Sequence, residues 1–177
     1  NYSSEQEKFR KKIKKRLENK VPEGIKHPAK STDLTLDQYQ KRRQLGYKLG
    51  EKGWLWPTAP LEYGGGGLDV EHSIVIEEEI DKIGLSLPPY YDSGGRLGGN
   101  SIMVWGNEEQ KKEFLPKIFS GEIRTWQLLS EPEAGSDLAN VKTTAVRDGD
   151  DYVLNGQKVW VGSAFGAEYM WTITCTD

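Results

Sequence analysis

The hydrophobic period of this chain changes once, near Ile123. Before that point apolar residues recur at helical spacing; after it they alternate in short runs between polar turns. Helices followed by strands, rather than strands alternating with helices, imply an α+β chain or two domains. The expected division is a helical unit over residues 1–124 and a β unit over 125–177. The β unit reads as an antiparallel sheet, the opening part of a barrel, with no strand left to close it. On that ground the chain reads as a fragment with more β structure beyond Asp177 and further domains absent. It starts at Asn1 rather than Met, which agrees with trimming or partial representation.

Local signals place the elements. Ser4 with Glu7 reads as a capping box for a first helix to about Asn19, stopped by Pro22-Glu23-Gly24. Its Phe9, Ile13 and Leu17 form a narrow apolar stripe, and Lys and Arg cover the rest as a solvated face. Thr35 with Gln38 opens a second helix to about Glu51, with Gly53 as a stop. Asp69 caps a third, carrying Ile76, Ile80 and Ile83. A Gly-rich stretch over 93–101 merges into a helix through Trp105, and Asn107 with Gln110 caps one over 108–118. Strands are expected over 126–130, 141–147, 152–154, 157–161 and 169–176. Asp148-Gly149 and Asn155-Gly156 are the hairpin signals between them.

Several function classes fall away. A formal net charge of -3 exerts no global pull on nucleic acid or an anionic membrane. One Cys and two distant His argue against a metal site, and Cys175 cannot form an intrachain disulfide. No apolar run is long enough for a membrane span. The four-glycine run 64–67 lacks a preceding βαβ strand and a Walker Lys, so it reads as a packing turn.

The run Ser130-Glu131-Pro132-Glu133-Ala134-Gly135-Ser136-Asp137 breaks a strand at Pro and reopens through small residues. Such a turn exposes backbone N–H groups that can hold an anion or the polar edge of a ring. Followed by Asn155-Gly156-Gln157-Lys158-Val159-Trp160, it resembles the flavin-dependent acyl-CoA dehydrogenases. Pro60-Leu61-Glu62-Tyr63-Gly64-Gly65 and Gly106-Asn107-Glu108-Glu109-Gln110-Lys111 resemble further motifs of that family, in the same order.

The resemblance implies an N-terminal helical domain, the start of a middle β-barrel domain, and an absent C-terminal helical bundle. It implies FAD as cofactor, an acyl-CoA thioester as substrate, and hydride transfer from Cβ to the flavin. The base that takes the Cα proton is then expected beyond Asp177, so no catalytic residue is assigned here. Leu129 and Ser130 match positions that meet the polar edge of the flavin ring. Gly135 and Ser136 match positions near the FAD pyrophosphate, and Trp160 matches an aromatic cover for the ring. Ser93, Gly94, Arg96, Gln127, Leu128 and Ser136 match the substrate region, with Arg96 a candidate for a polar or carboxylate acyl chain.

Two positions depart from the pattern. Gly162 stands where many members carry a Thr whose hydroxyl meets the flavin, leaving Ser163 or a backbone N–H to substitute. Glu133 replaces a frequent Gly, so its turn must avoid a left-handed conformation or absorb the cost. The family also implies a homo-oligomer, tetramer or dimer, and an electron-transfer flavoprotein-type acceptor. The compartment it implies is bacterial cytoplasm or mitochondrial matrix. Alternatives are a non-catalytic subunit of a hetero-oligomer, or an acyl-CoA oxidase or flavin monooxygenase-like relative.

Overall fold

A computed structural model describes residues 2–18, 21, 22, 25, 34–90, 92–162 and 165–176. The expected stop at Glu23-Gly24 and the candidate Ser163 lie outside these residues, and only the backbone is described at Ser93 and Gly94. The fold is α+β: among the described residues, five α-helices are followed by four strands in two small sheets. The helices are α1 (Ser4–Glu18), α2 (Leu36–Gly50), α3 (Val70–Lys82), α4 (Ser93–Trp105) and α5 (Glu108–Ser120). The strands are β1 (Thr125–Leu128), β2 (Thr144–Asp148), β3 (Asp151–Asn155) and β4 (Tyr169–Thr172).

The capping signals act much as their chemistry requires. Thr35 with Gln38, and Asn107 with Gln110, form reciprocal capping boxes, and the Asp69 carboxylate accepts from His72 N. For α1 the box sits one residue earlier than expected. Ser3 Oγ accepts from Gln6 N at 3.2 Å, and Gln6 Oε1 accepts from Ser3 N at 2.7 Å. The Gly-rich stretch is helical from Ser93, because Asp92 caps it by accepting from Gly95 N at 2.8 Å.

One apolar core gathers Ile13 and Leu17 of α1, Leu45 and Leu49 of α2, and Val75, Ile76 and Ile80 of α3. Arg10 locks α1 to α3 through Glu78 at 2.7 Å and Glu79 at 2.8 Å. A second core, Leu115, Ile118, Phe119 and Ile123, is shared by α5 with Ile102 and Met103 of α4. Trp56 touches both cores, and its indole N–H donates to Ile118 O at 3.1 Å. The glycine run spends its amides internally: Gly65 N on Pro60 O, Gly66 N on Trp56 O, and Gly67 N on Ala59 O. It is a packing turn, with those donors unavailable to a phosphate.

The strands differ from expectation in two ways. First, β2 and β3 form the expected antiparallel hairpin through Asp148-Gly149, but β1 and β4 pair in parallel. Arg124, just before β1, explains the parallel start. Its Nη2 and Nε donate to the Glu168 carboxylate at 2.8 and 3.0 Å, and Glu168 immediately precedes β4. Second, residues 157–161 form no strand, and Asn155-Gly156 does not turn a hairpin. Gly156 is pressed on Thr143, where an added Cβ would meet Oγ1 at 2.3 Å. The segment after it is drawn instead onto the loop that follows β1, where Val159 N donates to Ser130 O at 3.0 Å.

Candidate cofactor-binding site

Leu129 and Ser130 leave the end of β1 half-buried. The chain then folds back on itself: Glu131 N donates to Ala134 O at 2.7 Å, and Ala134 N returns to Glu131 O at 3.2 Å. Gly135 and Ser136 follow, exposed, and a Cβ added at Gly135 would meet nothing within 4 Å. Among the described residues no acceptor takes the N–H of Ser130, Gly135 or Ser136. This turn therefore presents donors and open approach. Glu133 keeps a negative φ and pairs with Lys142 Nζ at 2.7 Å on the surface, so it carries no left-handed strain.

Glu131 is the buried anchor of the turn. Its carboxylate accepts from Lys142 N at 2.7 Å, Thr143 N at 2.9 Å and Lys158 Nζ at 2.9 Å. Lys158 Nζ also donates to Leu129 O at 3.1 Å. Three neighbours bring the Glu131 carboxyl down to about 2. They are the Thr143 hydroxyl, close by but outside hydrogen-bond geometry, the Lys158 ammonium and the Lys142 amide. An acid held this low is a fixed negative charge at neutral pH and no proton donor or acceptor.

Two residues beyond Lys158, the backbone does something costly. Trp160 takes φ 59°, the one positive φ of a non-glycine residue among those described, and its side chain is 92% exposed. A bulky side chain in the left-handed region costs on the order of 1–3 kcal/mol and persists where surrounding structure imposes it. Here a large aromatic face is held out beside the donor-bearing turn. Gly162, at φ 57°, lies under the Trp126 indole, where an added Cβ would meet the ring at 2.4 Å. A side chain at position 162 and the Trp126 ring cannot coexist in this arrangement.

Comparison with known proteins agrees with this architecture. Residues 3–122 match the pattern of the acyl-CoA dehydrogenase N-terminal domain, and residues 127–177 match that of the middle domain. The chain belongs to the acyl-CoA dehydrogenase family. Acyl-CoA dehydrogenase FadE26 of Mycobacterium tuberculosis is 42% identical over 134 residues, 73% of this chain and 32% of that protein. The ChsE4-ChsE5 complex from Mycobacterium tuberculosis has a similar structure, with TM-score 0.78 and 31% identity. The match covers 100% of this chain and 44% of that one. An acyl-CoA dehydrogenase of Bacillus anthracis complexed with FAD gives TM-score 0.62 at 31% identity, over 91% of this chain and 27% of that one. The chain spans about a third of the length of the curated relative.

The donor set of this acyl-CoA dehydrogenase chain suits a flavin nucleotide. An exposed indole offers a flat cover, free amides can donate to an acceptor-rich edge, and Gly135 leaves room for close backbone approach. The Trp126 Nε1–H is buried without an acceptor among the described residues. Leu129, Ser130, Trp160 and Gly162 thus lie around one junction, with Gly135 and Ser136 on the turn beside it.

The substrate candidates do not converge in the same way. A cavity of about 290 Å³ lies between the helices and the β1–β4 sheet. Gly98, Ile102 and Trp105 of α4, Phe114 of α5, Thr125 of β1 and Trp171 of β4 line it. Gln127 pairs with Trp171 and shares a sheet face with Thr125, but it is exposed and does not line the cavity. Leu128 points to the opposite face, and Ser136 is on the exposed turn. Arg96 is exposed and donates to Leu87 O at 2.9 Å, outside the cavity lining. Sequence reasoning missed Asp92. Its buried Oδ1 accepts from Gly95 N of α4 and from Thr125 N of β1 at 3.0 Å, joining helix to sheet. An Asp directly before a helical stretch was the available signal.

No helix among the described residues is long and apolar enough to cross a membrane.

Proposed function

We propose that this chain is the N-terminal helical unit and the first part of the middle β unit of an FAD-dependent acyl-CoA dehydrogenase. Residues 1–124 and 125–177 are the two units, the second an opening stretch of barrel. The observation that carries this reading is the exposed, left-handed Trp160 beside the unspent amides of Ser130, Gly135 and Ser136. FAD held there would supply the acceptor for the hydride removed from Cβ of an acyl-CoA thioester.

The residues of this chain bind, orient and shield. Trp160 covers one flavin face and excludes water. Leu129 and Ser130 meet the polar ring edge, where N–H donors stabilise the negative charge gained on reduction. Gly135 and Ser136 give the pyrophosphate a close backbone and a hydroxyl. The apolar wall of Ile102 and Phe114 borders the acyl side. The proton-abstracting base belongs to the remainder of the polypeptide. An electron-transfer flavoprotein-type protein would be the acceptor partner, and the setting a homo-oligomer of the bacterial cytoplasm or the mitochondrial matrix.

The test is anaerobic addition of an acyl-CoA panel to the full-length flavoprotein. At least one thioester is expected to bleach the oxidised flavin band; no bleaching by any chain type would overturn the assigned reaction. Oxygen consumption in place of dye reduction would move it to an acyl-CoA oxidase or flavin monooxygenase-like activity. A second reading, a non-catalytic subunit in a hetero-oligomer, is favoured by one observation, the Trp126 ring filling the side-chain space at Gly162. It predicts flavin and turnover only after addition of a paralogous subunit.

A further inference from the structure

We infer that Lys158 and Glu131 form a positioning pair that fixes and polarises the Leu129–Ser130 peptide toward the flavin. The inference rests on the FAD reading above and adds a source for the strength of one of its donors. Both side chains are 7% exposed, so the pair is shielded from screening solvent. Lys158 Nζ divides its bonds between Glu131 Oε1 at 2.9 Å and Leu129 O at 3.1 Å. A cation on a peptide oxygen draws electron density away from the amide, so the N–H across that peptide becomes a stronger donor. Across the Leu129 carbonyl that N–H belongs to Ser130, and it has no acceptor among the described residues.

Glu131 keeps Lys158 in place. Two backbone amides also hold its carboxylate, Thr143 N on the oxygen shared with Lys158 and Lys142 N on the other. Val159 N on Ser130 O then couples the same peptide pair to the segment that bears Trp160. One buried ion pair therefore sets both the ring-edge donor and the root of the ring cover. A pair kept only for stability would not need its ammonium on the carbonyl that precedes the free donor. Buried ion pairs are often replaceable without loss of stability.

The two charges have opposite signs, which separates electrostatic positioning from general damage. The full-length protein is reconstituted with FAD as wild type, Lys158→Met, Lys158→Arg and Glu131→Gln, and the flavin reduction potential and FAD affinity are measured. Lys158→Met is expected to lower the potential and weaken FAD about tenfold, the scale of one charge-assisted hydrogen bond. Glu131→Gln leaves an amide oxygen to hold Lys158 Nζ while removing the opposing charge, so it is expected to raise the potential, and Lys158→Arg to stay near wild type. Shifts in the same direction for Lys158→Met and Glu131→Gln, or none, would overturn the inference. If Lys158→Met does not fold, Glu131→Gln decides alone: an upward shift supports the pair, an unchanged or lower potential refutes it. Wild-type protein that binds no FAD would instead refute the reading on which the inference rests.

Discussion

Asp92→Ala is expected to destabilise the protein by about 2–4 kcal/mol, because it strands two buried amides at once. Asp92 is 9% exposed. One of its oxygens serves both Gly95 N, at the start of α4, and Thr125 N, at the start of β1. Removing it leaves both donors without a partner and loosens the joint between the helical part and the β1–β4 sheet. Asp92→Asn keeps an acceptor in the same place and is expected to cost less than about 1 kcal/mol. The two variants also differ with pH. Burial, opposed by the Thr125 and Gly95 amides, raises the Asp92 carboxyl above its ordinary 3.8. The folded state therefore binds this proton more tightly than the unfolded state does. The contribution of Asp92 is full below the unfolded value and declines as pH rises through the folded one. Urea unfolding across pH checks this: relative to wild type, Asp92→Asn should gain stability as pH rises from acid toward neutral. Equal costs for Ala and Asn would show that the carboxylate is not an acceptor for these amides.

Ile76→Ala carries the other large effect, about 3–4 kcal/mol. Ile76 is fully buried in the core shared by α1, α2 and α3, and truncation there loses both transfer energy and packing contacts. Val104→Ala is the matched control. Val104 is 67% exposed on α4, and its truncation is expected to stay within about 0.5 kcal/mol. Chemical denaturation midpoints at constant slope give both numbers. A cost below about 1 kcal/mol at Ile76 would place the core elsewhere.

Much of the helical part was legible in the sequence because its signals are local. A capping box needs only residues three apart, and the boxes at Thr35 and Asn107 formed as read. The box at the first helix slipped by one residue because Ser3 and Ser4 are adjacent alternatives, each with a Gln or Glu three residues on. The strands were less legible because their pairing is not local. Nothing near β1 announces that β4, some forty residues on, will lie beside it in parallel; the determinant is Arg124 with Glu168, an ion pair across that gap. Asn155-Gly156 carried the strongest hairpin signal, yet Lys158 and Val159 bind the loop after β1 and pull the following segment away from the hairpin. Tertiary contacts outweighed turn preference.

The candidate cofactor residues were read through a resemblance, and the structure adds the contacts that bring their two segments together. Glu131 and Lys158 each sit inside a recognised motif, but only their contact shows that the two motifs are one unit. The concern over Gly162 also changes character. The missing hydroxyl is accompanied by an indole occupying that space, so the substitution is coupled to Trp126. Arg96 donates to the Leu87 carbonyl and stands outside the cavity between the helices and the β1–β4 sheet.

The central claim is that the turn over 130–137 and the segment over 158–162 together hold FAD. Titration of the apo full-length protein with FAD, followed by flavin fluorescence and absorbance, tests it most directly, with Trp160→Ala measured alongside. The account predicts saturable binding of one FAD per chain, and a Trp160→Ala protein that binds more weakly with a flavin spectrum shifted toward that of free FAD in water. Absence of saturable binding, or a Trp160→Ala protein identical to wild type in affinity and spectrum, would contradict it.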